Sequence, residues 1–166
     1  MKIYLVRHAH YLPDREYAYD GDITDKGRKQ IEKLAERMID ENVKFKRVCS
    51  SQRIRAIKSA ELFCKILGIE ERLISYNLDE EYPNEENLDV SKRMRESIEE
   101  IECEGDAIIF SHGYAIKRLL SSIDSENYLS KNILPHAGIV LLDCQNSNIK
   151  IEEYSSNLHI EEIESF

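Results

Sequence analysis

The stretch Ala107-Ile108-Ile109-Phe110 is an unbroken apolar run that stops at once on Ser111-His112-Gly113. A short run without alternation reads as a strand buried on both faces, and such a strand needs helices above and below it. The same figure opens the chain, where Ile3-Tyr4-Leu5-Val6 runs into Arg7-His8. Helical patterns lie between the two. Strands and helices in alternation fold as α/β around a largely parallel sheet. The expected architecture is a three-layer α/β/α arrangement, a mostly parallel sheet with helices on both faces, to which a C-terminal hairpin adds an antiparallel edge. The 166 residues contain no repeat and no Pro/Gly linker, so one domain over 1–166 is expected, without a separate lid domain.

The remaining elements follow from period and punctuation. A strand covers 2–6, and 10–23 forms a loop rich in Tyr and Asp. Thr24 suits a helix N-cap and Asp25 a first turn. Ile31, Leu34, Ala35, Met38 and Ile39 then trace an amphipathic helix that ends near Asn42. A second strand is expected at 46–50. A helix from about Gln52 to Leu67 turns Ala56, Ala60, Phe63, Cys64 and Leu67 inward and stops at Gly68. A short strand is expected at 72–77 and an exposed, Glu-rich loop at 79–87. Val90, Met94, Ile98 and Ile101 mark a third helix. Ile116, Leu119, Leu120 and Ile123 mark a fourth, after the strand at 107–110, with a short helical turn at 125–133. Strands at 138–143 and 148–154 form a hairpin around Gln145-Asn146-Ser147. Glu161, Glu162 and Glu164 belong to a solvated tail or short helix.

Charge and cysteine usage exclude several classes of function. Lys and Arg number 23 against 32 Asp and Glu, a net charge of −9. A chain this acidic lacks the cations that bind nucleic acid through its phosphates, and anionic membranes repel it. Cys49, Cys64, Cys103 and Cys144 show no C-x-x-C pair, so neither a disulfide scaffold nor a zinc site is expected, only reduced and mostly buried thiols. No secretory leader or membrane-spanning run is visible, and a cytoplasmic protein is expected.

Three basic features fall at equivalent places: Arg7-His8 after the first strand, Arg53 and Arg55 after the second, and His112 after the strand at 107–110. Ligands of open parallel sheets bind at the carboxyl ends of the strands, so these residues converge. Two arginines and two histidines in one cleft suit a dianionic phosphoryl group, because guanidinium forks match phosphate oxygens and helix N-termini add N–H donors. Each residue alone has a blander reading, as a surface charge or a half-buried imidazole; their coincidence at three strand ends favours a site. His10 lies close enough to contact a substrate. His136 reads as structural, and His159 as solvated. Tyr11, Tyr17 and Tyr19 border the pocket.

Four segments resemble the histidine phosphatase superfamily, the phosphoglycerate-mutase-like enzymes, and in particular its short phosphatase-type members. Leu5-Val6-Arg7-His8-Ala9 is similar to the family signature. Ile23-Thr24-Asp25-Lys26-Gly27-Arg28-Lys29-Gln30 is similar to Leu-Thr-x-x-Gly-x-x-Gln. The segment from Ser50 to Glu61 is similar to Ser-Ser-x-x-x-Arg-Ala-x-x-Thr-Ala-Glu, and Phe110-Ser111-His112-Gly113 completes the set in the family's order. The resemblance implies that His8 is the transiently phosphorylated nucleophile. It implies that Arg7 and Arg55 clamp the phosphoryl group and that His112, with Gly113 beside it, contacts that group. Arg55 rather than Arg53 takes the clamp role because it directly precedes Ala56. Leu78-Asp79-Glu80 fits the family's Leu-x-Glu, which makes Glu80 the proton donor, with Glu81 as the alternative. The chain departs from the pattern in Ala9, which replaces the usual Gly, and in the loop's usual Asn, near which Tyr11 and Asp14 stand. It also has only a short segment after Glu80 and no Trp.

Phosphoryl transfer rewards positioning and charge, and a neutral imidazole can attack phosphorus to form a covalent intermediate. For that, the second ring nitrogen of His8 needs a partner, expected to be a backbone carbonyl. The expected activity is hydrolysis of phosphomonoesters through phosphohistidine, without metal or cofactor. The alternatives are a protein phosphohistidine phosphatase, a phosphoglycerate mutase and a non-catalytic phosphate-binding module. The partner is a small phosphorylated metabolite or a phosphoprotein. Neither nucleic acid nor membrane is expected, and the oligomeric state is not legible.

Overall fold

The computed structural model describes residues 1–101 and 105–156. Cys103, His159 and the acidic stretch at 161–164 lie outside them. Six strands form one sheet: β1 (Lys2–Arg7), β2 (Phe45–Ser50), β3 (Leu73–Ile74), β4 (Asp106–Ser111), β5 (Ile139–Gln145) and β6 (Asn148–Ser156). Their order is β3-β2-β4-β1-β5-β6. The pairs β2–β3, β2–β4 and β1–β4 are parallel, while β5 runs antiparallel to β1 and β6 antiparallel to β5. The expected mixed sheet with an antiparallel edge is therefore present.

Helices α1 (Asp25–Asp40) and α2 (Ile54–Leu67) cover one face, and α3 (Asn87–Glu100) and α4 (Gly113–Ile123) the other. Strand alternation explains why both faces are dry. Ile3 and Leu5 of β1 and Ala107 and Ile109 of β4 pack toward α3 and α4, while Val6, Ile108 and Phe110 pack toward α1 and α2. Phe63 of α2 sits 5.5 Å from Phe110 and 5.7 Å from Phe45, ring centre to ring centre. Truncating such a buried ring to Ala costs about 3–5 kcal/mol. Thr24 accepts the Gly27 N–H as the N-cap of α1, and Gly68 (φ 71°) closes α2 in the left-handed region that glycine tolerates best. A fifth helix, α5 (Ser125–Tyr128), is a single turn. Asn146 and Ser147, both at positive φ, make the two-residue turn between β5 and β6.

Three expectations need correction. Ile39 is 56% exposed: Ile31, Leu34, Ala35 and Met38 fill the inward stripe, and α1 ends one residue beyond Ile39. The strand expected at 72–77 is only Leu73–Ile74, because a 3-10 turn at Tyr76–Leu78 takes over the backbone hydrogen bonds. The loop at 79–87 is not uniformly exposed. Asp79 is wholly buried, accepting from the Gln52 backbone N–H (3.2 Å), the Gln52 side-chain amide (2.6 Å) and the Tyr82 hydroxyl (2.7 Å).

After β1 the chain turns to α1 on one face; after β4, its neighbour in the sheet, it turns to α4 on the other. A crevice therefore opens beyond the carboxyl ends of β1 and β4, the usual ligand position in open α/β sheets.

Candidate active site

His8 follows the last residue of β1, and its N–H donates to the Ser111 carbonyl (2.9 Å) at the end of β4. The Ala137 N–H donates to the carbonyls of Arg7 (2.9 Å) and His8 (3.2 Å), so the strand end is held from both sides. His8 is buried, and its Nδ1 lies 2.8 Å from the Ala9 carbonyl oxygen. A carbonyl only accepts, so Nδ1 carries the hydrogen and Nε2 keeps its lone pair. Arg55 Nε donates toward that Nε2 at 3.3 Å. Burial holds the His8 imidazole well below its usual pKa; the Ala9 hydrogen bond opposes this, and the charges of Arg55 and Arg7 reinforce it.

His112 is the N-cap residue of α4 and is fully buried, its ring centre 5.1 Å from that of His8. Its Nε2 lies 2.7 Å from Ser51 Oγ, which also accepts the Arg53 N–H at 3.1 Å. Its Nδ1 has no hydrogen-bond partner among the described residues. Burial first, then the charges of His8, Arg55, Arg53 and Arg7, keep this imidazole neutral to well below the usual range.

The two expected clamp arginines both reach this crevice. Arg7 donates from Nη1 to the Leu134 carbonyl (2.7 Å), while its buried Nε has no partner among the described residues. Gly113 leaves room beside it: a Cβ there would crowd Ile133 at 3.0 Å and Arg7 Nε at 3.3 Å. Arg55 lies in the first turn of α2, its guanidinium 4.8 Å from the centre of the Tyr11 ring. Arg53 is turned aside, toward Asp79 (3.8 Å).

Glu80 and Glu81 separate clearly. Oε1 of Glu80 accepts the Ala115 N–H in the first turn of α4 (3.1 Å) and the Glu81 N–H (3.0 Å). Glu80 is also the carboxylate that most offsets the effect of burial on the Arg7 charge. Glu81 points instead to Arg118 (3.3 Å).

Asp20 is a site residue that sequence reasoning missed. Its carboxylate accepts the backbone N–H groups of Ile54 (2.7 Å) and Arg55 (3.3 Å) and pairs with Arg55 Nη1 at 2.9 Å. It therefore caps α2, whose own N-cap residue Arg53 makes no side-chain cap, and it orients the arginine that touches His8. Burial raises the pKa of Asp20, but these hydrogen bonds outweigh it and hold the carboxyl below its usual range. The sequence marked only a loop rich in Tyr and Asp over 10–23; nothing there marked a partner 35 residues away.

His136 is likewise closer to the site than its sequence reading. Its ring centre lies 5.5 Å from His8 and 5.4 Å from His10, and burial, then the charges of Arg7, His10 and Lys26, bring its pKa down to about 4. His10 is tied to Thr24 Oγ1 at 2.8 Å. Tyr11 stands edge-on to His8 at 5.2 Å, whereas Tyr17 and Tyr19 are exposed farther along the loop. Ala9 is buried at an ordinary negative φ, so the methyl group in place of the usual glycine brings no backbone strain. Among the described residues, no three His, Cys, Asp or Glu side chains are grouped to hold a metal ion, and no helix is long and apolar enough to cross a membrane.

Comparison with known proteins agrees with this arrangement. Residues 3–81 match the model of the histidine phosphatase superfamily (branch 1). None of the curated proteins matches the chain significantly in sequence. Among solved structures, a phosphoglycerate mutase from Bacillus anthracis superposes with a TM-score of 0.82 at 15% identity, over 99% of this chain and 96% of that one. A phosphoserine phosphatase mutant from Entamoeba histolytica, in complex with phosphoserine, gives 0.77 at 16% identity, over 96% and 98%. The protein histidine phosphatase SixA, complexed with tungstate, gives 0.75 at 17% identity, over 97% and 100%. In sequence, residues 3–81 are similar to the histidine phosphatase superfamily, and the chain as a whole shares the fold of these enzymes.

Proposed function

We propose that the protein hydrolyses phosphomonoesters through a phosphohistidine on His8. The observation that carries this reading is the Nδ1 to Ala9 carbonyl hydrogen bond, which leaves a buried Nε2 lone pair beside Arg55. Arg7 Nε and His112 Nδ1, both buried and without a partner among the described residues, are donors suited to the phosphoryl oxygens. In this reading the Ser51 hydroxyl, 2.7 Å from His112 Nε2, donates to it, and the ring hydrogen sits on Nδ1 for that purpose.

In the first step His8 Nε2 forms a bond to phosphorus as the ester P–O bond breaks. The leaving alkoxide takes a proton from the Glu80 carboxyl group. In the second step the Glu80 carboxylate takes a proton from water, the resulting hydroxide attacks phosphorus, and the P–N bond breaks to return neutral His8 and inorganic phosphate. Arg7 and Arg55 supply the positive charge that spreads over the phosphoryl oxygens in the transition state. The reading carries with it a small phosphorylated metabolite as substrate and a cytoplasmic setting.

One observation favours a second reading, a phosphoprotein substrate such as a phosphohistidine. Only the residues of 79–86 lie between the 3-10 turn at Tyr76–Leu78 and α3, and Tyr114 at the start of α4 is 48% exposed. In this reading the short segment and the exposed Tyr114 leave a polypeptide access to the crevice.

The test is turnover of p-nitrophenyl phosphate in EDTA by the wild type and by His8→Ala. Turnover lost in the variant supports the reading. Phosphate binding without turnover of any phosphoester points to a binding module and overturns it. Phosphorylated metabolites compared with phosphohistidine peptides distinguish the two substrate classes, and interconversion of phosphoglycerates faster than phosphate release identifies a mutase.

A further inference from the structure

The loop that carries Glu80 has no sheet to hold it. Between β3 and α3 the backbone makes one 3-10 turn and then runs irregularly to Asn87. Its carbonyls nevertheless converge on one side chain. Arg93 of α3 donates from Nη1 to the carbonyls of Asn77 (2.9 Å) and Asp79 (2.7 Å), and from Nη2 to the carbonyl of Glu80 (3.0 Å). It also grips Glu85 with two bonds, Nε to Oε2 at 2.8 Å and Nη2 to Oε1 at 2.9 Å. All five guanidinium hydrogens are thus used on residues 77–85. The Tyr82 ring lies 5.1 Å from the guanidinium carbon, and the Tyr82 N–H closes back onto Glu85 Oε1 at 3.1 Å. Arg93 and Glu85 are both largely buried, at 11% and 14% side-chain exposure.

We propose that Arg93 is a positioning residue for Glu80: it fixes the backbone of the proton donor from α3 while the Ala115 N–H of α4 fixes its carboxylate. This inference rests on the phosphatase reading and on Glu80 as its general acid. The two grips lie on opposite sides of the residue, one on its carbonyl and one on Oε1. Neither touches the phosphoryl pocket of Arg7, His8, Arg55 and His112. A lysine cannot reproduce the arrangement, because an ammonium lacks the planar fork that serves three carbonyls and a carboxylate together. Displacing a general acid by about 1 Å is enough to cost on the order of a hundredfold in rate. In the first step, which kcat/KM reports, that cost falls only on substrates whose leaving group needs the proton; the second step, where Glu80 takes a proton from water, is common to all substrates and bears on kcat.

The experiment measures kcat and KM for 2,4-dinitrophenyl phosphate, p-nitrophenyl phosphate, phenyl phosphate and an alkyl phosphate. The enzymes are the wild type, His8→Ala, Glu80→Gln, Arg93→Met, Arg93→Lys and Glu85→Gln. Expected for Arg93→Met is a kcat/KM about 10- to 100-fold lower on the alkyl and phenyl esters. On 2,4-dinitrophenyl phosphate, whose phenolate leaves unaided, kcat/KM stays within about threefold. Arg93→Lys and Glu85→Gln show the same trend more weakly, and they carry the test where Arg93→Met does not fold. Glu80→Gln sets the full leaving-group dependence for comparison. A steep dependence in Glu80→Gln with a flat or uniformly lowered series in the Arg93 and Glu85 variants overturns the positioning role and leaves the acid role standing. A flat series in Glu80→Gln overturns both, and activity that survives His8→Ala overturns the phosphohistidine reading and this inference with it.

Discussion

The phosphoryl pocket and the acid loop lie on the same crevice but are built by different means. Arg7, His8 and His112 are delivered by the ends of β1 and β4, whose register is set by parallel pairing from Ile3↔Ala107 to Arg7↔Ser111. A slip of one residue would turn each inward side chain to the other face, so dry packing on both faces fixes these positions. Glu80 stands on irregular backbone, where side chains supply what a ladder supplies elsewhere: Asp79 holds Gln52 and Tyr82, and Arg93 holds three carbonyls. Strand ends suit groups that must meet one phosphorus atom, while a clamped loop can place a proton donor against varied leaving groups.

The sharpest contrast is between Arg55 and Arg93. Arg55→Ala is expected to lower kcat/KM by about a thousandfold, equally for good and poor leaving groups, because phosphoryl charge develops whatever departs. The loss in Arg93 variants is selective. Matching selectivity in Arg55→Ala would erase the distinction between the two regions.

Asp20→Asn probes the same pocket one step back. The amide keeps the size of the side chain but not its charge, so kcat/KM should fall about tenfold with Arg55 still present. The helix cap and ion pair weaken too, for a stability loss of about 1–3 kcal/mol at neutral pH. The carboxyl of Asp20 is depressed in the folded state. Its contribution is therefore complete above the unfolded pKa of about 4 and is lost as pH falls through the folded value. Urea melts of both proteins should differ most near pH 7 and converge in acid; a constant gap would show that the charge of Asp20 is not what stabilises the fold.

The two regions also differ in how far the sequence foretells them. Apolar runs ending in Arg7-His8 and Ser111-His112 announce strands and the polar residues at their tips, so the crevice and most of its cations were legible. Asp20 was not, because its role depends on a loop whose Ala18 and Tyr19 adopt positive φ and whose Asp14 pairs with Asp20 across the turn. Nor was His136, which Ala137, at φ 61°, brings round to β1. On α3, Arg93 looks like any helix-surface arginine until the carbonyls it meets are known. Asp79 looked like part of an acidic surface because its two partners, Gln52 and Tyr82, come from 27 residues before it and 3 after. Periodicity reports which face an element buries; it says nothing about which backbone oxygens need a donor.

The buried imidazoles make a prediction of moderate size. His8, His112 and His136 are all depressed, so the unfolded chain binds protons below pH 6.5 that the folded chain refuses. Stability is then complete above 6.5 and declines as pH falls, for His136 down to about 4. His136→Phe removes one such proton and should flatten the curve between those limits. Parallel curves for the variant and the wild type would exclude His136 from the decline. The depression of His8 also keeps the nucleophile neutral, so the acid limb of kcat/KM should lie below pH 6.5 rather than at it.

The smallest effect is expected at the residue that departs most visibly from the family pattern. Ala9 lies beside the nucleophile, and its carbonyl orients His8 while its N–H is held by Ser59 Oγ at 2.9 Å. Both bonds belong to the backbone and survive Ala9→Gly. The substitution removes one buried methyl group and loosens the unfolded chain, so it should cost about 1–2 kcal/mol in stability. With φ already negative, glycine relieves no strain, and kcat should stay within about threefold of the wild type. A gain of tenfold or more would mean that the methyl group holds His8 away from its working position, and that the strand end tolerates less variation than its hydrogen bonds imply.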